Sequence, residues 1–329
     1  MTPSPSSQVY AFNGDADGLC ALQQLRRAAG PAYDAEALLV TGVKRDIALL
    51  DRVPAVAGQT CTVLDVSLDV NRAALVALLE ADVRLRYFDH HFAGEVPRHP
   101  NLDAHLDPSP NTCTSLLVDR SQGGRFRRWA IVGAFGDSLT AEATALATAV
   151  GLSPADTAAF EELGVAINYN AYGETLADLH VSPVDLAADM LPFEDPREFL
   201  ARSEAARRLA SGFRADLELA RHLPPHRAGP GAVLYLLPDA AWARRASGTL
   251  ANDRAKAHAD SAVAIVSPKT TGGYLVSIRV PRDAKVSAEI FCRRFPTGGG
   301  RRTAAGINHL PEAALDDFAA AFLGEFHTG

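Results

Sequence analysis

The feature that most constrains this 329-residue chain is an alternation near its start. From residue 9 to about residue 152, short apolar runs take turns with amphipathic stretches. VYAF (9–12), ALLVTG from Ala37, CTVLDVS from Cys61 and VRLRYFDHH from Val83 each read as strands. GLCALQQLRRAAG, stopped at Gly30-Pro31, reads as a helix, as does RAALVALLEA, with Asn71 ahead of it as a candidate N-cap. Strand–helix alternation predicts an α/β domain with a doubly wound, mainly parallel sheet covered by helices on both faces. In such sheets ligands bind beyond the carboxyl ends of the strands. Charged residues gather there: Asp15 and Asp17 after the first strand, Lys44 and Arg45 after the second, Asp65 ending the third, and Asp89, His90 and His91 ending the fourth.

The pattern changes further along. Helical segments dominate residues 129–222, and residues 196–222, rich in Ala, Arg, Glu and Leu without an interior Pro, predict one long connecting helix. PPHRAGPG (224–231) reads as a linker. The runs AVLYLL, SAVAIVS and YLVSIRV then read as strands, the last alternating Val276, Ile278 and Val280 against Ser277 and Arg279. Leu315, Phe318, Phe322 and Phe326 mark an amphipathic closing helix. The expected division is a first domain at 1–195, a connecting helix and linker at 196–228, and a smaller mixed-sheet α/β domain at 229–329.

Composition narrows the setting. The lead MTPSPSSQ reads as disordered and lacks the basic and apolar regions of a secretory signal. No apolar run approaches membrane-spanning length. Cys20, Cys61, Cys113 and Cys292 form no CxxC pair and lie among apolar or small residues, as buried free thiols of a reducing compartment do. These readings predict a cytoplasmic protein with no membrane partner; a homodimer is compatible with them. A net charge of −7 argues against coating long nucleic acid, which requires neutralising many phosphates.

The acidic residues carry the chemistry. A divalent cation acting on phosphate takes hard oxygen ligands, with imidazole acceptable for Mn²⁺. Two such ions can clamp phosphoryl oxygens and activate water. That requires carboxylates converging from separate elements, which Asp15, Asp17, Asp65, Asp89 and Asp137, with His90, supply here. Asp65 sits in an apolar strand, where an unpaired charge is costly and a metal would offset the cost. Gly18 is expected where the chain turns sharply after the carboxylates. Taken singly, Asp15, Asp17 and Asp137 are as readily helix caps. The segment Asn111-Thr112-Cys113-Thr114-Ser115 opens a helix by capping or offers its N-terminus to a phosphate.

Taken in order, Asp15-Ala16-Asp17-Gly18, Asp65, Asp89-His90-His91 and Gly136-Asp137 resemble the motifs of the DHH phosphoesterase superfamily. Residues 298–306, GGGRRTAAG, resemble the GGGH-x-x-AAG motif of the DHH-associated C-terminal domain, so the likeness spans nearly the whole chain. The resemblance implies a site in the cleft between the domains, holding Mn²⁺ or Mg²⁺ as one or two ions. By it, Asp15, Asp17, Asp65, Asp89, His90 and Asp137 are the metal ligands, with Asp65 bridging and a bridging water or hydroxide as nucleophile. It assigns catalysis to Asp65, Asp89, His90 and His91, and substrate binding to Lys44, Arg45, Arg279, Gly299, Gly300, Arg301 and Arg302. Two positions depart from the family: Asn13 and Ala11 stand where a His helps hold one metal, and Arg301 replaces the His of GGGH. Arginine there offers a permanent charge and bidentate geometry to phosphate. The implied activity is hydrolysis of phosphoesters in a small nucleotide or short oligonucleotide, as an exonuclease, phosphodiesterase or nucleotide phosphatase. Long nucleic acid is excluded, because the chain has no room for the extra modules of RecJ-like enzymes. The alternatives are a polyphosphatase or pyrophosphatase, or a nucleotide-binding regulator with weakened turnover.

Overall fold

The computed structural model describes residues 8–30 and 37–327, so most of the MTPSPSSQ lead and the Pro31 stop lie outside the described residues. The chain divides into two compact units, Met1–Gly212 and Phe213–Gly329.

The first unit carries five strands: β1 (Gln8–Phe12), β2 (Leu38–Val40), β3 (Thr60–Leu64), β4 (Arg84–Asp89) and β5 (Leu102–Leu106). They pair in parallel in the order β2-β1-β3-β4-β5. The chain leaves β1 for β2 on one side and returns to β3 on the other. The switch point is therefore the gap between the carboxyl ends of β1 and β3, where an open parallel sheet forms its ligand crevice. Strand β5, LDAHL, was not foreseen; it is a half-exposed edge strand with no run of apolar residues.

Helices α1 (Ala16–Ala29), α2 (Arg72–Glu80), α3 (Thr114–Ser121), α4 (Arg127–Gly136), α5 (Thr140–Ala149), α6 (Pro154–Asn170), α7 (Pro183–Met190) and α8 (Pro196–Arg202) complete this unit. One sheet face buries Val9, Ala11, Cys61 and Val63 against Leu49, Leu75 and Leu78. Asn71 does not cap α2 with its side chain. Its buried amide instead accepts from the Leu50 N–H and donates to the Ile47 and Ser67 carbonyls, tying the loop after β2 to the start of α2.

Where composition predicts one connecting helix, the chain makes two. Ser203 is extended between α8 and α9 (Glu204–Arg221), and its Oγ accepts from the Ala206 N–H, capping the second helix. Serine competes for backbone groups in this way and so breaks a run that its neighbours would continue.

The second unit is a mixed six-stranded sheet in the order β10-β11-β9-β8-β7-β6. Its strands are β6 (Arg227–Gly229), β7 (Ala232–Leu236), β8 (Ala262–Pro268), β9 (Tyr274–Arg279), β10 (Gly298–Gly300) and β11 (Ala304–Leu310). The stretch read as linker contributes β6, an edge strand antiparallel to β7. Helices α10 (Ala241–Ala257), α11 (Ala288–Cys292) and α12 (Leu315–Glu325) cover the sheet. Phe291 of α11 meets Phe318 and Phe322 of α12 edge to face at 6.0 and 5.9 Å, in a core shared with Val276 and Ile278. Among the described residues no helix is long and apolar enough to cross a membrane.

Candidate metal centre

The carboxylates foreseen at the strand ends meet at the switch point. Asp15 follows β1 and is the N-cap of α1, its Oδ1 accepting from the Asp17 and Gly18 N–H groups at 3.1 Å. Asp17 lies in the first turn of α1 and does not cap it. Its two oxygens accept at 2.7 Å from the N–H groups of Thr114 and Ser115, the first residues of α3. The helix N-terminus suggested for a phosphate therefore holds Asp17, by the attraction of an anion to unpaired N–H groups. Gly18 is not at a turn but inside α1. It is glycine because a Cβ there would stand 2.2 Å from the Asn13 carbonyl oxygen.

Asp65 ends β3 with φ at 57°, a left-handed backbone rare outside glycine. Asp137 caps no following helix; α5 starts at Thr140 with Leu139 ahead of it. It sits at the C-terminal end of α4 and is followed by Ser138, also left-handed with φ at 66°. Strain of this kind persists where the surroundings impose it, and it gathers at functional sites. Gly136 permits the approach: a Cβ there would lie 2.3 Å from the Ala16 Cβ and 2.8 Å from the Gly164 carbonyl oxygen. α4 thus packs on the first turn of α1 and carries Asp137 toward Asp17.

His90 is the hub. Its Nε2 lies 3.4 Å from Asp65, 3.8 Å from Asp137 and 3.9 Å from Asp17. His91 Nδ1 bonds Asp89 Oδ1 at 2.6 Å. Among the described residues, two sets of side chains converge closely enough to hold a cation: Asp17, His90 and Asp137, and Asp65, His90 and His91. Asp15 and Asp89 belong to neither. Asp89 is fully buried, and its Oδ2 has no hydrogen-bond partner; nor has the buried Asn13 Oδ1. Buried oxygens left unpaired beside a carboxylate cluster are what a cation would satisfy. The donor set, carboxylates with imidazole, suits Mn²⁺ or Mg²⁺.

The charges report the same need. Burial, reinforced by Asp15 and Asp17, pushes the Asp65 carboxyl well above the ordinary range, against the pull of His90. Burial and the charge of Asp17 push Asp137 up to about 7. Burial works against a charged His90, but its hydrogen bond to Asp65 and the charge of Asp17 outweigh it and raise the imidazole to about 10. The cluster carries more negative charge than its buried position tolerates.

Lys44 reaches into this cluster from a turn beyond β2. Its Nζ donates to Asp15 Oδ2 at 2.6 Å and to Asn168 Oδ1 at 2.8 Å. Burial opposes its charge, yet the Asp15 carboxylate more than offsets that and holds the ammonium above its ordinary value. Arg45 is exposed and does not line the 390 Å³ cavity that Lys44 shares with Asp15, Asp65, His90, His91 and Asp137. Asn168 and Thr114, whose Oγ1 donates to Asp65 at 3.3 Å, were not foreseen as contacts of the cluster. Asn168 was the harder to find, because nothing marks one amide in the last turn of a helix.

The other foreseen residues belong to the second unit. Gly298–Gly300 forms strand β10, paired with β11 through Gly299↔Gly306 and Gly300↔Ala305. A Cβ at Gly298 would overlap the Cys292 carbonyl, and Gly300, at φ 143°, packs on Ala305; only Gly299 faces open space. Arg301 and Arg302 are exposed. Arg279 is half-buried at the end of β9, its Nε donating to Asn252 Oδ1 at 2.9 Å.

No family model and no curated protein matches the sequence. Solved structures match the fold. A RecJ exonuclease bound to manganese superposes with a TM-score of 0.60 at 20% identity, over 95% of this chain and 88% of that one. A DHH domain protein described as a member of the s1p family of ribosomal proteins gives 0.60 at 13% identity, over 97% and 86%. The chain has the fold of these two structures. A pGpG-specific phosphodiesterase from Vibrio, PggH, gives 0.57 at 12% identity, over 97% of this chain and 98% of that one. The two-unit α/β architecture foreseen from the motifs is the one these proteins share.

Proposed function

We propose that this chain is a divalent-metal-dependent phosphoesterase that hydrolyses a phosphoester bond of a small nucleotide or short oligonucleotide. The observation that carries this reading is the gathering of Asp17, Asp65 and Asp137 around the single nitrogen His90 Nε2, at 3.4–3.9 Å. Asp17, Asp65, His90 and Asp137 would hold the ion, Mn²⁺ by preference. A bound divalent ion supplies the charge that draws in phosphate oxygens and makes water acidic enough to attack phosphorus. The residues do the rest. The N–H groups of Thr114 and Ser115 lock the Asp17 carboxylate. Asp89 anchors His91 through Nδ1, leaving Nε2 of that half-exposed ring to hold or deliver a proton at a substrate oxygen. Arg279, Arg301, Arg302 and the open backbone at Gly299 are assigned to substrate phosphate.

The likeness to PggH, over nearly the full length of both chains, supports a nucleotide substrate. The manganese-bound RecJ supports the choice of ion. The charge of −7 supports the exclusion of long nucleic acid. Four buried, unpaired cysteines support a reducing, cytoplasmic setting. The purified protein, given Mn²⁺, is to be assayed against linear dinucleotides, 3′,5′-bisphosphorylated adenosine, cyclic dinucleotides, single-stranded DNA and polyphosphate. Turnover of a dinucleotide or the bisphosphate is expected. Inertness toward all five would sink the reading, and turnover of polyphosphate alone would replace it.

A further inference from the structure

Asp15 is the first carboxylate of the cluster, yet it stands outside both sets of side chains that could grip a cation. Its oxygens are already taken. Oδ1 accepts from two N–H groups of α1, and Oδ2 accepts from Lys44 Nζ at 2.6 Å. The ammonium is placed with care. Its backbone N–H is pinned to the Ala171 carbonyl, Asn168 Oδ1 accepts from Nζ at 2.8 Å, and the Tyr172 ring lies 5.5 Å away. Three residues thus supply an acceptor or a π-face to one cation. Just before Asp15, positions 11 and 13 are Ala and Asn, so neither offers an imidazole. His90 Nε2 faces Asp17, Asp65 and Asp137, and one nitrogen lone pair serves one ion.

We propose that the Lys44 ammonium is a built-in cation beside Asp15, so that the centre takes one divalent ion, among Asp17, Asp65, His90 and Asp137, and not two. A second divalent ion at Asp15 would have to displace the ammonium or sit against it, and like charges that close repel strongly in a partly dry site. A fixed ammonium also supplies positive charge to a phosphate oxygen without being lost to chelators. The inference rests on the metal-binding reading above and deepens it.

The test is metal stoichiometry, read by native mass spectrometry of the full chain with Mn²⁺ and by electron paramagnetic resonance. The wild type is expected to hold one Mn²⁺ with the spectrum of an isolated ion. Lys44→Gln is expected to admit a second Mn²⁺ and to show an exchange-coupled pair. Two ions in the wild type, or one in Lys44→Gln, would overturn the role given to Lys44 while leaving metal-dependent chemistry intact. Should Lys44→Gln not fold, as judged by circular dichroism, Asp15→Asn decides, since an amide oxygen can still cap α1. It should keep one Mn²⁺ with little change in affinity, and loss of that ion would overturn the proposal. A wild type that binds no Mn²⁺ would overturn both this inference and the proposed function.

Discussion

The two units treat charge differently. In the first, the acidic groups are deep: Asp17, Asp65 and Asp89 are 1%, 3% and 0% exposed. Two are held by contacts that reach across the fold, two α3 amides for Asp17 and the Thr114 hydroxyl for Asp65, and Asp89 is held locally by the His91 ring. In the second, the core mixes aliphatic and aromatic side chains, the buried Arg245 and Asp216 neutralise one another as a pair, and Arg301 and Arg302 stand in solvent. Burying charge without partners is expensive, so the first unit must rebuild its packing to change its chemistry. The second can exchange an exposed arginine at little cost to stability. On the proposed function, the unit with the deep carboxylates sets what is done to a phosphate, and the one with exposed arginines sets which phosphate is taken.

The hardest blow to that contrast is Asp65→Asn. Asparagine tolerates the left-handed backbone at this position, so the change removes a charge with little added strain; Asp65→Ala would add strain. Mn²⁺ binding by calorimetry should disappear and turnover should fall by about 10³-fold, the scale of losing one essential charged group. Wild-type turnover in this variant would refute the site.

Gly136→Val attacks the same unit without touching a ligand. The added side chain must displace Ala16 or the Gly164 backbone, and with them the spacing that carries Asp137 toward Asp17. A misplacement of about 1 Å can cost about 10²-fold in rate. Overpacking should also lower unfolding free energy by about 1–3 kcal/mol in a urea titration. Unchanged turnover would mean that Asp137 is not part of the working site.

The strand-end carboxylates were legible because burial leaves a mark in sequence: Asp65 stands out in VLDVS, and DHH stands out after an apolar run. So was the aromatic face of α12, through its spacing. Less legible was how each polar side chain is used. Asn71 looked like a cap but bridges a loop, and Asp17 looked like a cap of its own helix but is gripped by another. Both choices depend on which backbone groups lie nearby in space, which no local pattern encodes. The break at Ser203 was missed for a related reason: one side-chain hydrogen bond to a nearby backbone N–H starts a new helix.

The smallest effect is expected at Arg301, and it sharpens the contrast most. The side chain is exposed and its backbone N–H closes a turn with the Ala304 carbonyl, so Arg301→Ala leaves β10 and β11 paired. Screened by solvent, an exposed charge contributes little to affinity, and KM should rise by only about threefold to tenfold. With the carboxylate cluster intact, kcat and Mn²⁺ stoichiometry should stay as in the wild type. Arg301→Lys should recover part of the loss, since the charge returns without the bidentate geometry. A fall in kcat as large as that of Asp65→Asn would place Arg301 among the reacting groups and end the division of labour between the units.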